Sequence, residues 1–341
     1  RPRGSTCRCR RTQSCMARAL LRSSGPDEGD TVVEEARFLP PLEFLGPSEA
    51  SGKAVTLPCF PLPLDHAALP GTQRTLRISE PRYLSMYNDM LAAGQQHFVV
   101  PRCERGAEGV RLAEAAVVFR LVNLEDAPAR ARFRYSCLHN VTDPVRITRV
   151  LNPAVFADGS SYLRVECEEI PDADAGLDLH VEEAALMEAM GQVVQLREVA
   201  GDPLRRFKLS HDAQGRPFIV DNHLLPTVTE EALSSTPLDG DGLWRLAALW
   251  QGYCERRAVS LWQARDRARA GPPGRAAELR EAYAADAKAL ASSTTDLMQR
   301  LLQAGPRSSR LAALRSAAAA EASRLAAASA MRMAVGAEPF A

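Results

Sequence analysis

The chain contains no apolar run near the roughly 20 residues that a membrane-spanning helix needs, so no membrane partner is expected. It has no net charge: 42 Lys and Arg balance 42 Asp and Glu. No overall field draws in a polyanion, and no nucleic-acid partner is expected. Eight cysteines, at 7, 9, 15, 59, 103, 137, 167 and 254, include no Cys-x-x-Cys pair, and the six histidines are scattered. That pattern suits neither a disulfide framework nor a zinc site, and no metal or cofactor is expected. Cys59, Cys137 and Cys167 fall in apolar strand patterns, where cysteine acts as a small buried hydrophobe in a reducing compartment. No Gly-x-Ser-x-Gly elbow is present. His66 beside Asp65, and His139, have no nucleophile near them in a recognised arrangement. The nearest approach to a phosphate loop runs from Gly46 to Ala54. It sets five residues between its glycines instead of four, and Ala54 stands where a magnesium-binding hydroxyl belongs. An enzyme is therefore not expected.

Charge is uneven along the chain. Residues 1–24 carry Arg1, Arg3, Arg8, Arg10, Arg11, Arg18 and Arg22, interleaved with Ser and Thr, and no acidic residue. That is the composition of an organelle transit peptide, with a disordered basic tail or translated upstream sequence as the plainer alternatives. Because the chain opens on Arg1, the true start is expected to lie upstream. Pro26 to Gly52 reads as a polar linker with an apolar patch at Phe38-Leu39 and Phe44-Leu45. Residues 1–53 are thus assigned to a transit-like segment and a disordered linker.

Leu57 to Tyr83 is the most informative stretch. Leu57-Pro58-Cys59-Phe60-Pro61-Leu62-Pro63-Leu64 is apolar, yet its prolines forbid a helix and hold it extended. Leu69-Pro70-Gly71 supplies a tight turn. Leu76-Arg77-Ile78-Ser79-Glu80-Pro81-Arg82-Tyr83 then reads as a strand running into a helix. The order and spacing of these residues resemble the opening of the Lon amino-terminal domain, the substrate-recognition part of Lon proteases. The resemblance implies a PUA-like β-barrel followed by a helical carboxy-terminal subdomain, an α+β fold. A complete Lon protease also carries an ATPase module and a Ser-Lys peptidase domain, for which 341 residues leave no room.

Hydrophobic periodicity agrees with this layout. Arg82 to Ala93 reads as a helix with Leu84, Tyr87 and Leu91 on one face, Pro81 in its first turn and Gly94 at its end. Short strands follow at His97–Val100 and Val117–Val122, and three more alternate around Phe133/Tyr135/Cys137, Val145/Ile147 and Leu163/Val165/Cys167. Asp158-Gly159 marks a turn between the last two. From Leu179 the period becomes helical: Leu186, Met190, Val193 and Arg197 share a face. Thr227 and Glu230 fit a capping box. One long helix carries Leu243, Leu246, Trp250, Tyr253 and Leu261, and Gly271 to Gly274 breaks it. A second carries Leu279, Tyr283, Leu290, Leu297 and Leu301 and stops at Gly305-Pro306. A third, capped by Ser308 or Ser309, carries Leu311, Leu314 and Leu325. The barrel is assigned to 54–178, the helical part to 179–332 and a tail to 333–341.

Two departures from the family stand out. Asn123 to Arg132 lacks the Asp-Gly hairpin and Gly-x-x-Arg-Phe pattern, keeping only Arg132-Phe133, and Ser79 replaces a large apolar residue. Glu80 and Arg82 are candidates for gripping a substrate terminus, although such a pair at a helix start more often pairs internally. Tyr83, Trp244, Trp250 and Trp262 are candidates for lining a peptide groove, against a core role favoured by their helical spacing. Arg256, Arg257, Arg265, Arg267 and Arg269 are candidates for phosphate contact, against a solvated helix face. The expected function is non-enzymatic recognition of unfolded or apolar protein segments, with a protease or chaperone as the onward partner. The plastid stroma is the expected location, with the mitochondrion as alternative. Alternative readings are an accessory subunit or fragment of an ATP-dependent Lon-type protease, and an RNA-binding PUA-like protein. Neutral charge and the lack of an aromatic-and-basic strand count against the last.

Overall fold

A computed structural model describes residues 35–52, 54–63, 67–128, 130–199, 209–211, 217–219, 242–268 and 273–335. The chain divides into two units, Arg1–Glu34 and Glu35–Ala341, and the described residues belong to the second. His66, Asp65, Arg269 and the Thr227/Glu230 box lie outside them.

Six strands build the first half: β1 Val55–Cys59, β2 Gln73–Ile78, β3 His97–Gly106, β4 Gly109–Asp126, β5 Tyr135–Val150 and β6 Leu163–Glu169. Their order is β2-β5-β4-β3-β1-β6, and β6 pairs back onto β5. Five strands therefore close a barrel, and β2 stands outside the closure, added to β5. All pairings are antiparallel except β1 with β3. The length of β5 makes this arrangement work: its first part pairs with β2 and its last part with β6, while β4 lies along its other side. The sequence reading had two strands here, around Phe133/Tyr135/Cys137 and Val145/Ile147, and the structure joins them in one, β5. Pro144 sits in the gap between β2 and β6, where its missing N–H costs no ladder bond.

Alternation fills the barrel with Cys59, Val99, Leu112, Ala116, Ile147, Leu163, Val165 and Cys167. The Pro70-Gly71 turn forms as expected: Thr72 N–H donates to Leu69 O and Gly71 takes φ 77°. β3 and β4 join through a two-residue turn between Gly106 and Gly109. Gly109 has φ 126°, and a Cβ there would stand 2.2 Å from the Glu43 carboxylate, which accepts the Val110 N–H.

Part of the segment assigned to a linker is built into the barrel. Leu39 N–H donates to Leu112 O, Phe38 bridges to Ala113, and a 3-10 turn at Leu42–Phe44 sends Leu42 into the core. The apolar patch at Phe38-Leu39 finds its partner on β4, a contact that no local pattern announces.

Helix α1, Pro81–Ala92, covers the barrel with Tyr83, Met86, Tyr87 and Met90. The expected face was Leu84, Tyr87 and Leu91; Leu91 is instead 50% exposed. The helix is rotated so that its methionines, which fit irregular gaps, meet the aromatic interior. A one-turn helix α2, Val155–Asp158, ends in Gly159 at the expected turn.

The second half holds α3 His180–Val199, α4 Gly242–Arg267, α5 Pro273–Gln303 and α6 Arg307–Val335, with a small hairpin of β7 Leu209–His211 and β8 Pro217–Ile219 that the helical reading did not include. The expected face of α3 is buried in full: Leu186, Met190, Val193 and Arg197. Helix α3 packs on α6 and α4 on α5, and α5 also lies against β4. Leu297 and Leu301 are buried as expected, whereas Leu279 is exposed near the far end of α5.

Candidate binding surfaces

Between α1 and the outward face of the barrel sheet, the buried imidazole of His139 is enclosed by Tyr87, Phe98 and Phe119. Its Nδ1 faces the Arg74 carbonyl at 3.2 Å, which only accepts, so Nδ1 carries the proton. Nε2 then accepts from the Tyr87 hydroxyl at 2.8 Å. Burial pulls the His139 pKa down to about 4, against the raising effect of the Arg74 carbonyl, so the ring stays neutral. Sealed and fully bonded, it is a structural group. The buried thiols are likewise held protonated, burial lifting Cys137 and Cys167 to about 11 and Cys254 to about 12.

The loop that loosely imitates a phosphate site is occupied by a carboxylate. Ser51 donates from its backbone N–H and, at 2.9 Å, from its hydroxyl to Glu166, an almost wholly buried side chain. Two donors that would suit an anion are thus spent on the protein's own β6.

The candidate residues of the opening stretch are brought together, with Glu80 and Arg82 paired with each other at the surface and Tyr83 buried. Arg82 donates to Glu80 at 2.9 Å, and its guanidinium lies 4.7 Å above the Tyr83 ring and 5.4 Å above Phe156. Tyr83 is buried against Phe60, with ring centroids 3.9 Å apart, and burial pushes its hydroxyl up to about 12. Trp244 and Trp250 are core residues of α4, and Trp262 is half-buried beneath Arg265. No shared groove unites these aromatics among the described residues. The arginines of α4 also scatter: Arg257 pairs with Glu321, and Arg265 with Asp266.

Three surfaces escaped the sequence reading. The first is the junction between barrel and helices, residues 170–181. Asp174 caps α6 by accepting from Arg307 N–H and Ser308 N–H, at 2.5 and 2.8 Å, a role expected of Ser308 or Ser309. Burial opposes its charge, but these hydrogen bonds outweigh it and hold the carboxyl down at about 2. Asp172 lies 3.6 Å from Arg310, and Arg307 also pairs with Glu183. From this pinned segment Leu177 and Val181 project with 64% and 77% of their surface exposed.

The second is the seam between α5 and the barrel, where buried Gln299 donates to Ala115 O at 2.7 Å and Arg102 pairs with Asp296 at 2.8 Å. The third is the outer edge of β2 with the hairpin loop beside it. Arg130, Arg132 and Arg134 are exposed there, Arg77 lies 5.3 Å from the Phe133 ring centroid, and Arg134 N–H donates to Ile78 O.

No family model matches the chain, and no curated protein matches it. Among solved structures it is similar to a Lon N-terminal domain protein from Xanthomonas campestris. That pair is 23% identical over 46% of this chain and 85% of the other, with a TM-score of 0.29. It is also similar to the N-terminal domain of a Mycobacterium avium complex Lon protease, 13% identical over 71% of this chain and 98% of the other, with a TM-score of 0.36.

Proposed function

We propose that the chain is a non-enzymatic recognition module that takes up extended apolar stretches of unfolded protein at the junction of barrel and helices and presents them to a protease or chaperone. The exposure of Leu177 and Val181 on a segment fixed by Asp172, Asp174 and Glu183 carries this reading. Apolar side chains held out from a rigid base gain burial on binding without first losing much freedom. Burying each is worth about 1.5–3 kcal/mol before ordering costs, so a modest, micromolar affinity with little salt dependence is expected. The arginine-rich, acid-free residues 1–24 support a plastid, or alternatively a mitochondrial, location.

The test is titration of a labelled unfolded client against the chain and its Leu177→Asp, Val181→Asp double variant. Affinity is expected to fall about tenfold or more with the far-UV CD spectrum unchanged. Equal binding by both proteins would overturn the assignment to this surface.

A further inference from the structure

We propose that the outer edge of β2 accepts an extended acidic peptide as an added strand. This site stands apart from the apolar junction, and each can fail without the other. Thr72 O accepts from Val141 N–H and Ile78 O from Arg134 N–H, so both carbonyls face β5. Backbone groups alternate sides along a strand, which turns the N–H and C=O of Gln73, Thr75 and Arg77 outward. Among the described residues no strand pairs with that side. The same three residues are the exposed ones in the strand, so a partner approaching this edge meets no side chain packed across it.

Charge chooses the partner. Asp126 pairs with Arg134, Glu80 with Arg82, and Glu125 accepts from Asn123. No carboxylate among the described residues pairs with Arg77, Arg130 or Arg132. Arg77 lies near the end of β2, and Arg130 and Arg132 are exposed in the β4–β5 loop, where Arg134 N–H donates to Ile78 O. A peptide strand laid along β2 places every second side chain beside Arg77 and its continuation beside Arg130 and Arg132, so Asp or Glu there is favoured. Pairing of two copies through this edge would instead bring the arginines together, an arrangement that edge charges oppose. Single-stranded RNA fits less well, because the guanidiniums of Arg77 and Arg134 already cover the Phe133 and Tyr135 rings on which bases would stack.

The experiment uses the full chain and a fluorescein-labelled peptide of alternating Glu and Val. A Gln-for-Glu version, a version N-methylated on alternate amides and a single-stranded RNA serve as comparison probes. The acidic peptide is expected to bind and to weaken between about 50 and about 300 mM salt. The combined Arg77→Glu, Arg130→Glu, Arg132→Glu variant, all exposed positions, is expected to lose about tenfold or more in affinity. Amide exchange at Thr75 and Arg77 should slow on binding, a readout in the unaltered chain that does not depend on the variant folding. Retention of acidic-peptide binding by the Leu177→Asp, Val181→Asp protein separates this site from the junction. Equal binding of the N-methylated peptide, unchanged exchange at Thr75 and Arg77, or arginine-dependent binding of RNA alone would overturn the proposal.

Discussion

The barrel half buries its polar side chains in small local sets, while the helical half buries them as a network. In the barrel, His139 meets Tyr87 and one carbonyl, and Glu166 meets Ser51. Among the helices, the carboxylate of Glu321 on α6 accepts from Tyr253 and Arg257 on α4 and from Arg324 on its own helix, and Arg197 of α3 lies 4.9 Å from the Tyr253 ring centroid. The closed ladder already fixes which strands meet and in what register, so the barrel core can be filled by shape alone. Helices are self-sufficient in backbone hydrogen bonds and can slide or rotate against one another. Helix α6 is rich in alanine, whose small side chains specify little. A buried charge on α6 bonded from α4 selects one rotation among many, the use of such groups that is best attested.

Three substitutions sharpen that contrast. The largest effect is expected from Glu321→Ala, which strands the largely buried Arg257 and the Tyr253 hydroxyl and should cost about 3–5 kcal/mol. Denaturant melts will give the loss, and amide exchange should show α4 and α6 loosening ahead of β3–β5. Equal loosening of the barrel would mean that the halves share one source of stability.

The next effect is a pH dependence confined to the barrel. His139 has a folded pKa of about 4 against an ordinary 6.5, so below pH 6.5 the unfolded chain binds more protons than the folded one. Its contribution is complete above pH 6.5 and is lost as pH falls toward 4, about 3 kcal/mol across the window. Stability measured between these limits should be flatter in His139→Phe than in the original chain, whatever that variant's absolute stability. Parallel profiles would count against a sealed imidazole.

The smallest effect belongs to the seam between the two regions. Gln299→Leu leaves the Ala115 carbonyl unpaired under α5 and should cost about 1–3 kcal/mol. Thermal melts followed separately by near- and far-UV CD would show whether the loss also splits one transition into two.

Much of this was legible from local chemistry. Pro70-Gly71 wrote its turn, Pro81 its helix start, and the alternation at Leu163, Val165 and Cys167 its strand, because each depends on steric rules within a few residues. The face of α3 was legible too, since four side chains at helical spacing have one way to share a groove. The candidate sites were far less so. Tyr83, Trp244 and Trp250 look available in a string of letters, and it is packing that turns them inward.

The sequence alone determined that a β-rich first half gives way to long helices and which face α3 had to bury. Tertiary structure alone decided that β5 runs unbroken between two neighbours, that Phe38 and Leu42 belong to the barrel, and that Asp174 caps a helix 133 residues away. It also decided that β2 keeps an outer edge with which no strand pairs among the described residues. The reason is range: dihedral preference and periodicity act over one or two turns, whereas caps, closures and edges are set by partners that meet only when the chain has folded.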